Sequence, residues 1–146
     1  MNTNGCIVRK AVLADLDALK ILADACKHEL GFVLRPALAR SIARGEILVA
    51  ENNAGLIGFV EYHHRQNEQT TLYHIAVEPD HRGQNIGRRL VGALINDAQK
   101  YGKGFILLKC PADLPANHFY AALGFIQVGS EPGHRRRLTI WRLSLL

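Results

Sequence analysis

The densest run of chemistry-bearing residues lies at Arg82-Gly83-Gln84-Asn85-Ile86-Gly87-Arg88. Small residues at close intervals let backbone N–H groups approach an anion. A helix starting just beyond them adds unpaired N–H groups and the positive end of its dipole. With charge from Arg82 and Arg88, the segment suits a pyrophosphate. The same residues also describe a tight strand-to-helix turn with solvated arginines, because short glycine motifs are weak signals. The lysine and Ser/Thr of a Walker loop are missing, which argues against a nucleoside triphosphatase.

Other reactive side chains are scattered. His63 and His64 are neighbours; on a strand they point to opposite faces and cannot jointly grip a metal, and no metal site is expected. Cys6, Cys26 and Cys110 form no CxxC pair and are odd in number, so a disulfide framework is not expected and a reducing cytoplasm is the default location. Cys110 reads as a small buried residue at a strand end, and Trp141 as packing. The 18 basic residues exceed the 13 acidic ones by five. That excess favours an anionic partner: a phosphorylated cofactor, a nucleic acid or an anionic membrane. Arg135-Arg136-Arg137 has no interleaved aromatics, so nucleic acid ranks last among these. No apolar run approaches bilayer-spanning length, and residues 1–5 lack the pattern of a signal peptide. No membrane partner is expected.

The elements that position these residues follow from periodicity. The 146 residues, 48% hydrophobic and 21% charged, suit one globular domain spanning 1–146 and exclude disordered or fibrous descriptions. Cys6 to Arg9 reads as a short strand. Leu16, Leu19, Ala23, Cys26 and Leu30 recur at helical spacing, with Asp15 as cap and Gly31 as terminator. A second helix runs from about Ala37 to Arg44 behind Pro36, closed by Gly45; the pair is expected to pack on a sheet. Ile47 to Ala50, Leu56 to His63 and Thr71 to Val77 read as three meander strands, with turns at Asn52–Gly55 and Arg65–Gln69. Leu90, Val91, Leu94, Ile95 and Ala98 give a strong helix one apolar face, ended by Gly102. Phe105 to Leu108 is a strand after it, so this part resembles a βαβ unit whose strands can lie parallel. Asp113-Leu114-Pro115 opens a last helix, with Asp113 as cap; Ala116, Phe119, Tyr120 and Leu123 share a face and Gly124 ends it. Phe125 to Val128 and Leu138 to Leu143 close the chain as a hairpin. The fold class is α/β, with a mixed sheet, in an α+β arrangement.

The run from Ile75 to Leu90, Ile-Ala-Val-Glu-Pro-Asp-His-Arg-Gly-Gln-Asn-Ile-Gly-Arg-Arg-Leu, resembles the acyl-CoA motif of the GNAT N-acetyltransferases, Arg/Gln-x-x-Gly-x-Gly/Ala after a strand ending near proline. Downstream, Asn117-His118-Phe119-Tyr120-Ala121-Ala122-Leu123-Gly124-Phe125 resembles that family's helix ending in Tyr-x-x-x-Gly-Phe. The resemblance implies a GNAT-like fold: an antiparallel meander joined to the βαβ-like acyl-CoA unit, with helices on both faces. It implies acetyl-CoA as acyl donor and co-substrate, and a small-molecule or peptide amine as acceptor; a homodimer is left open. The backbone of Ile75, Ala76 and Val77 would follow the pantetheine arm, and Arg82, Gly83, Gln84, Asn85, Ile86, Gly87 and Arg88 would hold the pyrophosphate. Two positions depart from the pattern. Asn85 stands where a glycine is usual, and asparagine is the non-glycine residue best suited to left-handed backbone. Asp113 stands where a cofactor-contacting asparagine is common; whether Asp113 itself or Asn117, one turn later, takes that contact is left open.

By the same resemblance Tyr120 is the proton donor to the leaving thiolate; on its own pattern it is a half-buried aromatic on an apolar face. The positions that two family branches use for a base hold Leu108 and Thr71, and neither can serve. His74 and Glu61 remain as candidates, with histidine titrating near neutrality and Glu61 on the neighbouring strand; a water chain is the alternative. Ile75 and Val77 should face one side of the sheet, His74 and Ala76 the other. Acceptor selectivity should come from the two N-terminal helices, the Arg65–Gln69 turn and the Glu131–Arg137 hairpin. The competing readings are a CoA-binding or sensing module without turnover and, last, a nucleic-acid binder.

Overall fold

A computed structural model describes residues 5–146; the N-terminal stretch read for a signal peptide lies, but for Gly5, outside the described residues. The elements are β1 (Ile7–Lys10), α1 (Leu16–Ala25), α2 (Lys27–Leu30), α3 (Arg35–Ala43), β2 (Ile47–Asn52), β3 (Gly55–His64), β4 (Gln69–Val77), α4 (Ile86–Lys100), β5 (Phe105–Pro111), α5 (Ala116–Ala122), β6 (Ile126–Pro132) and β7 (Arg137–Ser144). They form a mixed seven-stranded sheet in the order β1-β2-β3-β4-β5-β7-β6. Its one parallel pairing is β4 with β5, as a strand–helix–strand unit requires.

Alternation along β2 sorts the core into two layers. Ile47 and Val49 join Leu19, Leu22, Leu38 and Ile42 of α1 and α3, with Phe59 and Ala76. Leu48 and Ala50 face the other way, into a cluster with Leu90, Val91 and Leu94 of α4 and with Tyr120. Covered on both faces, β2 reads as a continuous apolar run rather than an alternating one. The N-terminal helices do pack on the sheet, and helices cover both sides.

Two expected caps make no cap bond. Asp15 stands at the N-cap position of α1, but its carboxylate accepts from the Val12 N–H at 2.8 Å and pairs with Arg9 instead of bonding the helix end. Asp113 faces Arg136 at 3.2 Å, and α5 begins after Pro115 without a side-chain cap. In each case an arginine offers the carboxylate a charge-assisted partner, stronger than a neutral cap bond. The first long helix is interrupted at Cys26, which leaves helical geometry (φ −106°, ψ 20°). Strands β5 and β6 run on to Pro111 and Pro132, further than apolar patterning suggests. Each ends at its proline, and in β6 that residue lies on an edge strand, where a missing N–H breaks no interior ladder.

The pairing of β4 positions the chemistry. Against β5 it pairs only from Gln69 to Leu72, whereas against β3 it continues to Val77. From Tyr73 onward one side of β4 has no neighbouring strand, so alternate backbone N–H and C=O groups there are free of the ladder. The β3–β4 register also slips: Glu61 pairs with His74 but Tyr62 with Leu72, leaving Tyr73 as a bulge. Such a bulge re-aims the side chains beyond it.

Candidate active site

Two clefts meet along this half-paired stretch of β4. The first, about 380 Å³, is lined by Ile75, Ala76 and Val77, by the 81–88 loop and the start of α4, and by Ala116 and Phe119 of α5. Its floor depends on one backbone conformation: Asn85 has φ 64° and ψ 16°. Among the described residues it is the one non-glycine with positive φ. Left-handed backbone is tolerated by asparagine far better than by other side chains. It turns the chain directly into α4, whose first N–H groups open on the cleft. Gly87 serves the same wall differently. A Cβ there would stand 3.1 Å from the Phe119 ring, so its absence lets α5 close on the start of α4.

The two loop arginines differ. Arg82 donates to Glu29 at 2.7 Å and to the Val77 carbonyl at 3.0 Å, which ties the loop to α2 and β4 and neutralises its charge locally. Arg88 lines the cleft with no ion pair or hydrogen bond among the described residues, so it carries the uncommitted positive charge. The cleft thus joins backbone donors, a helix N-terminus and one free guanidinium to an apolar floor. That combination fits a pyrophosphate followed by an uncharged arm.

The second cleft, about 340 Å³, opens where α3 and the 32–34 segment face Glu61, Tyr73 and His74. Here the structure brings together two residues the sequence offered only as alternatives. His74 Nδ1 lies 2.7 Å from Glu61 Oε1, and Ser41 of α3 donates its hydroxyl to Glu61 Oε2 at 2.6 Å. Glu61 and Ser41 are buried. An ionised carboxylate only accepts, so His74 Nδ1 is the donor toward Glu61, and Nε2 is the ring nitrogen left open to the cleft. Ser41 escaped sequence reasoning because nothing in its neighbourhood marks it: it joins the pair only through folding, twenty residues away in sequence.

Tyr120 and Asn117 do not line the first cleft. Asn117 is committed to the fold: its amide donates to the Pro111 and Leu114 carbonyls and its oxygen accepts from Trp141 Nε1 at 2.9 Å. Its amide group is thus spent on the fold and is not part of the cleft lining. Gln84 is not among the residues that line the cleft either. Tyr120 is buried behind Phe119, edge-on to Phe119 and Phe125 at 5.4 and 5.6 Å. Burial, with a smaller contribution from Cys110, raises its pKa well above the ordinary phenol value, so it stays protonated. Its hydroxyl makes no hydrogen bond among the described residues. The Cys110 thiol is also pushed up, to about 11, by burial first and the Asp113 charge second, which suits a core residue rather than a nucleophile.

Outside the clefts, His63 contacts Glu46 and His64 contacts Asp97. Of the segments expected to select the acceptor, α3 and the chain before it line the second cleft. The 65–69 turn touches it only through the Arg65 bond to Tyr73, and the 131–137 hairpin does not line it. Glu29, His81, Ala116 and Phe119 line the first cleft without having been singled out for it, although Phe119 sits inside the helix motif that the sequence displays.

A family profile described as an acetyltransferase (GNAT) domain matches residues 43–127, from the end of α3 into β6. The L-amino acid N-acyltransferase MnaT of Escherichia coli (strain K12) is 30% identical in an alignment of 118 positions that covers 73% of this chain and 69% of that protein. Among solved structures, the ribosomal-protein-S18-alanine N-acetyltransferase from Escherichia coli matches with a TM-score of 0.83 at 21% identity, over 96% of this chain and 94% of that one. The yncA protein of Salmonella typhimurium, a putative acetyltransferase solved with its cofactor acetyl-CoA, matches with a TM-score of 0.80 at 22% identity, over the same shares.

Proposed function

The chain belongs to the GNAT acetyltransferase family and is an acetyl-CoA-dependent N-acetyltransferase; from that premise we propose that its first cleft holds the acetyl donor and its second the amine, with β4 as the shared wall. The observation that carries this reading is the adjacency on one strand: Tyr73 and His74 line one cleft while Ile75, Ala76 and Val77 line the other. Residues 1–146 act as a single catalytic domain, which the continuous sheet supports. The acceptor is an α-amine, a reading supported by the names of the curated relatives, an L-amino acid N-acyltransferase and a ribosomal protein bS18-alanine N-acetyltransferase. Among the described residues no helix is long and apolar enough to cross a membrane. The free cysteines fit a reducing compartment such as the cytoplasm.

His74 is the general base. Its Nε2 takes the proton of the amine as the nitrogen bonds to the thioester carbon, while Glu61, held by Ser41, fixes the tautomer and stabilises the imidazolium. Free N–H groups of β4 beyond Leu72 face the carbonyl oxygen as its charge develops. The carbon–sulfur bond then breaks with its electron pair on sulfur, and Tyr120 is the donor to that sulfur. Its ring stands behind Phe119 of the cleft wall, and its lack of any other hydrogen bond among the described residues supports the assignment; burial keeps it protonated until charge builds on the sulfur. Arg88 and the N–H groups at the start of α4 hold the pyrophosphate.

Calorimetry should detect acetyl-CoA binding without acceptor, and thiol release should accompany amine acetylation. Tyr120→Phe should lower kcat by about 10²-fold with acetyl-CoA affinity nearly unchanged. An unchanged kcat where chemistry limits the rate would return Tyr120 to the core alone. No heat and no thermal shift at millimolar acetyl-CoA would remove the donor assignment of the first cleft.

A further inference from the structure

Resting on that reading, we propose that the second cleft selects amines whose carbon bears a free carboxylate and an apolar substituent: free apolar α-amino acids rather than amides or peptide N-termini. The first observation is charge. Arg40 and Arg44 line the cleft, and neither has an ion pair or hydrogen bond among the described residues. They stand four residues apart, Arg40 in the last turn of α3 and Arg44 at its C-cap, a spacing that puts neighbours on one side of a helix, and both line the same cleft. Most other arginines of the chain are engaged: Arg9 with Asp15, Arg35 with Asp17, Arg82 with Glu29, Arg136 with Asp113. The carboxylate lining this cleft is Glu61, and it is already bound to His74 and Ser41.

The second observation is the order of groups. Ser41, between the two arginines in sequence, ties α3 to the His74–Glu61 pair, so the cationic end and the basic end of the cleft belong to one rigid unit. The third is apolar surface left uncovered on the lining: Phe32 is 81% exposed, Leu34 64% and Tyr73 44%, and all three line the cleft. An α-amino acid presents an amine, a carboxylate and a side chain on one carbon. These match in turn His74, the arginine pair and the Phe32–Leu34–Tyr73 surface. A peptide N-terminus has an uncharged amide where the carboxylate would be and leaves both guanidinium groups without a partner. Arginine forks recognise carboxylates by paired, charge-assisted bonds, and a site built for such a group discriminates strongly against an analogue lacking it.

The test compares three acceptors with saturating acetyl-CoA: free leucine, leucine amide and a leucyl dipeptide. With the wild-type enzyme, kcat/KM for leucine should exceed that for leucine amide by about 10²-fold or more. In an Arg40→Gln/Arg44→Gln variant the preference should collapse to within a few-fold, through a rise in KM for leucine, with acetyl-CoA affinity unchanged by calorimetry. Both arginines are exposed and unpaired, so the variant leaves no buried orphan and should fold; Arg44→Lys alone should retain part of the preference. Equal use of leucine and its amide, or preference for the dipeptide, overturns the carboxylate assignment and leaves the acetyltransferase reading standing. Acetyl-CoA binding with none of the three acetylated also overturns the acceptor assignment alone. Absence of both binding and acetylation overturns the two readings together.

Discussion

Asn85 and His74 each hold a function in one atom-level feature. At Asn85 the feature is φ of 64°. Asn85→Gly should preserve acetyl-CoA affinity, because glycine adopts this backbone freely. Asn85→Val should weaken binding about tenfold or more, since strain of about 1–3 kcal/mol falls on the loop that forms the site. Calorimetric titration of both variants decides the point, and equal affinity in Asn85→Val and wild type would show that the position needs no special geometry. At His74 the feature is the Nδ1 contact with Glu61. His74→Ala should lower kcat by about 10²-fold, whereas Glu61→Gln, which keeps the imidazole, should lower it by only about tenfold. A larger loss of kcat in Glu61→Gln than in His74→Ala would reverse the two roles. The sequence displayed the first feature and concealed the second for a physical reason. Asparagine's backbone tolerance is local. The His74–Glu61 contact depends on a register that slips at Tyr73, and its third member arrives on a helix.

Pairs of elements, rather than single ones, make the first cleft. The start of α4 and the body of α5 meet where Gly87 lies under Phe119. Gly87→Ala gains about 1 kcal/mol of helix propensity, but its methyl must displace the ring, and overpacking costs about 1–3 kcal/mol. Stability should therefore change little, while Phe119 shifts in the cleft wall and the acetyl-CoA dissociation constant rises several-fold. Adding Phe119→Leu should restore part of the affinity, a coupling that a double-mutant cycle measures; strict additivity would remove the contact from the explanation. Element identity was largely legible, because α4 carries a clean apolar face and β2 to β4 are bounded by turn residues. The ends were not. Asp15 and Asp113 look like caps in sequence, and arginines brought close by folding take both carboxylates. The bonds of Asn117 to Trp141 and to the Pro111, Ala112 and Leu114 carbonyls likewise come from contacts that only folding creates.

Across the whole molecule, the clefts stay registered only if β4 and α4 keep their relative position, and a polar node far from both fixes it. Asp97 lies eleven residues along α4 from Ile86, about 16 Å from the cofactor end. Its Oδ2 accepts from Lys10 of β1 at 2.9 Å, from the Tyr62 hydroxyl of β3 at 2.7 Å and from His64 Nε2 at 3.0 Å. His64 in turn contacts Thr70 of β4 at 2.8 Å and stacks on Tyr101. Burial alone would raise the Asp97 pKa; the bonds from Lys10, Tyr62 and His64 and the Lys10 charge reverse this and hold it below the ordinary carboxylate value. A carboxylate depressed on folding stabilises the native state above its unfolded pKa, and that contribution is lost as pH falls through the folded value. Asp97→Asn keeps the shape but removes the charge that three donors share. Breaking a buried pair from one side costs about 3–5 kcal/mol; Lys10, with its side chain 41% exposed, can turn to solvent, so a loss of about 2 kcal/mol is expected at pH 7. The gap between wild type and Asp97→Asn in urea unfolding should narrow steadily below pH 5, because acid removes from the wild type what the substitution has already removed. At low temperature and neutral pH the variant should keep the wild-type preference among acceptors, since no cleft residue has changed. A gap that stays constant down to pH 3 would show that Asp97 stabilises the frame by packing and not by its charge.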